Sequence, residues 1–95
     1  MRLEQLTDVI VKHAGARKDG GAYLLPAEAE ASLYVALEGE TLTIQKVSRI
    51  EPVDTLVTVD TSRGERFIVA AEDVRGVKVE KSETSRRDRS AGFGR

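Results

Sequence analysis

The chain contains no cysteine and no tryptophan, a single histidine and two prolines, and only 4% of its residues are aromatic. Without cysteine there is no disulfide framework and no thiolate metal cluster, which excludes a cysteine-stapled scaffold and a zinc finger. No apolar run approaches the roughly 18 residues needed to span a bilayer. Met1-Arg2-Leu3-Glu4-Gln5 brings in an acid at once and no apolar block follows, so signal-peptide character is missing. The expectation is a soluble cytoplasmic protein with no membrane contact. What is present, 95 residues of which 40% are hydrophobic, suits one small domain with a folded core.

The net charge of −1 hides an asymmetry. Residues 1–80 hold ten Lys/Arg against fourteen Asp/Glu, a balance of −4, whereas residues 81–95 hold five against two, a balance of +3. An acidic body with a basic tail suits an anionic partner for the tail: an acidic protein face or nucleic acid. The body has no basic stripe of the kind a duplex-DNA domain carries.

Leu3, Leu6, Val9, Ile10 and His13 recur at the spacing of one helical face, with Glu4, Gln5, Asp8 and Lys12 opposite. Gly15 is placed to end that helix, so residues 1–14 form an N-terminal amphipathic helix. Residues 15–31 read as a linker. Its first part, 15–21, is a flexible connector by composition, and Ala22-Tyr23-Leu24-Leu25 suits a short strand. Residues 26–31 are open between helix and strand, with Pro26 before Ala and Glu favouring a helical turn. From Ser32 the alternation is that of β structure. Leu33, Val35 and Leu37 lead to a turn at Glu38-Gly39-Glu40, then Leu42 and Ile44 continue on one phase. The apolar phase shifts to Val47 and Ile50, which predicts a bulge near Lys46. Glu51-Pro52-Val53-Asp54 is read as a break, followed by Val57 and Val59, a hairpin turn at Ser62-Arg63-Gly64, and then Phe67 and Val69 beside Ile68. Ala71-Glu72-Asp73-Val74 suits one tight helical turn and Gly76–Glu80 a last strand.

Five short strands at roughly ten-residue spacing, over residues 32–81, predict a small five-stranded barrel. The fold class expected is mainly β (α+β by count): that barrel, the amphipathic helix before it and a flexible basic C-terminal tail over 82–95. The tight turn before the last strand resembles the SH3-like barrel family. The leading helix, with Val74-Arg75-Gly76 between the last strands, resembles the Sm-like variant. Leu25-Pro26-Ala27-Glu28, continued by Glu38-Gly39-Glu40-Thr41-Leu42, is similar to the swapped-hairpin transcription-factor pattern. That pattern carries a basic helix where Glu28 and Glu30 stand here, which speaks against DNA binding through this element.

Catalysis needs an activated nucleophile, and His13 is the only histidine available as its base. Glu72-Asp73 and Glu28/Glu30 have no calcium-loop pattern, and Gly15–Gly21 lacks the Gly-Lys-Ser/Thr ending of a phosphate loop. No catalytic residue, metal ligand or cofactor is assigned. The expectation is a non-enzymatic, self-associating small β-barrel that acts as a structural or adaptor subunit of a larger assembly. Leu3, Leu6, Ile10 and His13 are its expected oligomer interface. Arg86, Arg87, Arg89, Phe93 and Arg95 are the expected contacts to an acidic protein surface, since guanidinium groups bind carboxylate and phosphate bidentately. The alternative is a nucleic-acid-binding regulatory protein that uses the same Arg-rich tail, with Phe93 stacking on a base.

Overall fold

The computed structural model describes residues 1–80. Helix α1 spans Leu3–Ala14 and is held at both ends. Gln5 Oε1 accepts from the Arg2 backbone N–H at 3.1 Å, which satisfies a donor the helix itself leaves open. At the other end Gly15 takes a left-handed conformation (φ 75°), and the Ala16 N–H donates to the Ile10 carbonyl at 3.0 Å.

Seven strands follow: β1 (Arg17–Asp19), β2 (Ala22–Leu24), β3 (Ala31–Leu37), β4 (Glu40–Val53), β5 (Leu56–Thr61), β6 (Arg66–Ala70) and β7 (Val74–Val79). A 3-10 turn at Ala27–Ala29 precedes β3, and a second, at Ala71–Asp73, precedes β7. All strands belong to one antiparallel sheet, running β1-β2-β4-β3-β7 on one path, with β5 pairing β4 and β6 pairing β5. Among the described residues no pairing joins β6 to β7, so the sheet is not closed into a barrel.

The expected linker over residues 15–31 is instead structured. The expected flexible connector over 15–21 forms β1 and the turn of the β1–β2 hairpin, with Gly20 at φ 65°, while the short strand expected at Ala22–Leu25 is β2 and the expected helical turn after Pro26 is the first 3-10 turn. β1 and β2 join the sheet alongside the five strands expected for the barrel. The expected break at Glu51-Pro52 also does not occur, because β4 continues to Val53. Pairing of β2 with β4 ends at Ile50, so Pro52 sits where that edge is open and an N–H is not required.

β4 is the organising strand. Its inward residues Ile44, Val47 and Ile50 are spaced by three instead of two. Lys46 takes a left-handed conformation (φ 57°), and β4 carries one extra residue against β3 and another against β5. These bulges bend the strand and restore the apolar side chains to one face. The first half of β4 pairs β3, and its second half pairs β5 on one edge and β2 on the other.

Between the sheet and α1 lies one apolar core, in which Leu6, Ile10, Leu33, Val35, Ile44, Ile50, Val57, Val59 and Val74 are the largest fully buried side chains. α1 packs on β7 and the second 3-10 turn. The Met1 ammonium reinforces that contact by donating to the carbonyls of Ala71, Glu72 and Val74 at 3.3, 3.1 and 2.7 Å. No described helix is long and apolar enough to cross a membrane.

Candidate interaction surfaces

The helix stripe expected to meet a second copy is committed elsewhere. Leu6 and Ile10 are completely buried in the chain's own core, and Leu3 packs against it half-buried. His13, expected on the same apolar face, is exposed on the last turn. One docked apolar face suffices to hold a helix of 12 residues that would be marginal alone. Arg86, Arg87, Arg89, Phe93 and Arg95 lie outside the described residues.

The exposed apolar surface is on the sheet. Register places Val53 opposite Leu56, Leu56 opposite Ala70, and Thr58 opposite Ile68. Residues of this parity point away from the core, since Val57 and Val59 between them are buried. Val53, Leu56 and Ile68 therefore share the outer face of β4–β5–β6, where Ile68 retains 63% of its accessible surface. Among the described residues β6 pairs only β5 and β7 pairs only β3, so within them each leaves a row of backbone donors and acceptors unpaired. The sequence carried a signal for this face: in a strand of period two, the middle residue of Phe67-Ile68-Val69 must face away from its neighbours.

Farther along the same face the character changes to charge. Asp60 accepts from Arg66 Nε at 2.7 Å and from its terminal nitrogen at 3.1 Å, while Arg49 reaches Asp60 at 3.5 Å and Glu51 at 2.9 Å. The Arg66 hydrogen bond, with the positive charges of Arg66 and Arg49, holds the Asp60 carboxyl below its ordinary range against the opposing effect of desolvation. Asp60 in turn raises the Arg66 guanidinium. Here the acids and bases satisfy one another. In the β5–β6 turn, Arg63 donates to Gln45 Oε1 at 3.4 Å.

A groove of about 350 Å³ opens between the end of α1 and the first 3-10 turn. Ala14, Gly15, Pro26 and Ala29 form its apolar part, and Lys12, His13 and Glu28 its polar rim. The groove thus has both a histidine and a carboxylate on its rim, and its described lining carries no hydroxyl side chain. Among the described residues no group of three or more His, Asp or Glu is arranged to hold a metal ion. Compared with known proteins, the chain matches no family model, no curated protein and no solved structure.

Proposed function

We propose that this chain is a non-enzymatic, self-associating β module that serves as a structural or adaptor subunit. Its element order, a helix, the run β3 to β6, a 3-10 turn and β7, supports an SH3-like arrangement of the Sm-like variety. The observation that carries the functional reading is the apolar cluster of Val53, Leu56 and Ile68 beside the edge of β6, which no described strand other than β5 pairs. A second copy covers the cluster and pairs the edge, which removes apolar surface from water and completes backbone hydrogen bonds. The self-satisfied charges of Arg49, Glu51, Asp60 and Arg66 lie at the border of this patch, where they lose little by staying wet. They also favour a protein partner over nucleic acid, since Arg49 and Arg66 already have carboxylate partners.

Light scattering over a range of concentrations tests the proposal. The expected result is a mass that rises with concentration, and a return to the monomer mass in Ile68→Lys and Leu56→Glu with the fold retained by circular dichroism. A wild-type chain that stays monomeric at high micromolar concentration overturns it.

A further inference from the structure

We infer that a second copy of this chain pairs antiparallel with β6 about a two-fold axis at Ile68, so that the assembly closes at two chains; this rests on the self-association proposed above, which thereby gains a symmetry and a register. Just beyond the two ends of the β5–β6 ladder, the Thr61 N–H donates to the Glu65 carbonyl at 2.9 Å and the Ala71 N–H to the Thr55 carbonyl at 3.0 Å. Hydrogen-bonded and non-hydrogen-bonded positions alternate along an antiparallel pair. Stepping inward by two from either end makes Phe67–Val59 and Val69–Val57 the hydrogen-bonded positions, and both ends give the same phase. Arg66, Ile68 and Ala70 are left with N–H and C=O directed away from β5, where no other described strand meets them. These positions are symmetric about Ile68. A copy centred there exchanges both backbone hydrogen bonds between the two Ile68 residues, and each Ala70 N–H donates to the partner's Arg66 carbonyl.

Side chains select the same centre. Ile68, with 63% of its surface exposed, meets its own counterpart, and Arg66 faces Ala70, so no like charges oppose. Centring one residue earlier, on Phe67, would set Ile68 against Arg66. Charge also fixes the direction. Arg63, in the turn leading into β6, donates to the neutral Gln45 and forms no ion pair among the described residues. Glu72 and Asp73 stand in the 3-10 turn that leaves β6. An antiparallel copy brings the cationic end of each strand to the acidic end of the other, and continuing the register past the strand takes Arg63 toward the partner's Asp73. The other open edges lack this complementarity. Self-pairing of β7 over its length sets Arg75 against the partner's Lys78, and self-pairing of β1 sets Lys18 against Lys18. Within β6 there is no proline and no register shift to guard the edge.

The alternation supplies its own readout in the unaltered chain. Amide hydrogen exchange is followed residue by residue by nuclear magnetic resonance, at concentrations spanning the rise in mass seen by light scattering. Phe67 and Val69, bonded to β5, should exchange slowly throughout. Ile68 and Ala70 should exchange fast in the monomer and slow by roughly tenfold or more in the dimer. A mass that rises while Ile68 and Ala70 stay fast overturns the inference and leaves self-association standing, as does a mass that climbs past two copies. Slow exchange of Ile68 and Ala70 in the monomer overturns it as well, because the edge is then closed within one chain. A mass that never rises removes the underlying self-association, and the two-fold pairing with it.

Discussion

Tyr34 stands directly across the β3–β7 ladder from Gly76, with its ring carbon Cδ2 3.7 Å from where a β-carbon at Gly76 would lie. That is ordinary contact distance, and Gly76 does not take a positive φ. Gly76→Ala is therefore expected to be neutral or to stabilise by about 0.5 kcal/mol, through the reduced freedom of the unfolded chain. Gly39 differs: open space surrounds it, yet its φ of 85° is one that L-residues avoid. Gly39→Ala is expected to cost about 1–2 kcal/mol despite the room. Urea denaturation of the two variants side by side makes the comparison.

Ile10 tests where the helix stripe is used. Its complete burial in the chain's own core predicts a loss of about 2–5 kcal/mol for Ile10→Ala. The loss should be the same at every protein concentration, because the cavity opens inside one subunit. A loss that grows on dilution would return Ile10 to an interface between copies.

Thr61 is the one buried polar side chain among the described residues. Its hydroxyl donates to Glu65 Oε1 at 3.0 Å and accepts from the N–H groups of Arg63 and Glu65 at 3.3 and 3.2 Å. Thr61→Val keeps the shape and leaves those donors unmatched, for an expected cost of about 1–3 kcal/mol. Thr61→Ser, which retains the hydroxyl, should lose less in the same denaturation assay.

Asp60 imposes a pH dependence of known sign. Its folded-state pKa is lowered, so the unfolded chain binds the proton more readily. The contribution is present above the ordinary Asp value, near pH 3.9, and is lost as pH falls through the lower folded value. Its side chain is 20% exposed and its partner Arg66 more so, which keeps the effect small. Thermal melts from about pH 5 down to about pH 2.5 should show wild type losing more stability than Asp60→Asn. Equal slopes would remove Asp60 from the account.

The β regions were legible because alternation survives wherever one face is buried. Leu33 and Val35 in β3 and Val57 and Val59 in β5 all face the core as their spacing implied. The phase jump from Ile44 to Val47 announced the bulge at Lys46. Ala22–Leu24 was read as a strand, but its partner β1 was not legible, since Arg17, Lys18 and Asp19 are all exposed and have no apolar period to read. β1 is a strand through backbone pairing to β2, which side-chain pattern does not encode. Similarly, an apolar helix stripe reads the same whether it docks on its own sheet or on a neighbour. Only the position of the second 3-10 turn and of Met1 beside it decides in favour of the former. The outward Val53–Leu56–Ile68 cluster required cross-strand register, which joins residues far apart in sequence.

The doubly flanked stretch of β4 also sets how the protein should come apart. Val47 pairs Ala31 and Thr61, Arg49 pairs Leu24 and Asp60, and Ile50 pairs Tyr23 and Val59, so each has a neighbouring strand on both sides. Amide hydrogens there should be the last to exchange with deuterium, opening only when the whole molecule unfolds. The short β1–β2 hairpin, joined to the rest through two register positions on β4, should peel away earlier as a separate unit.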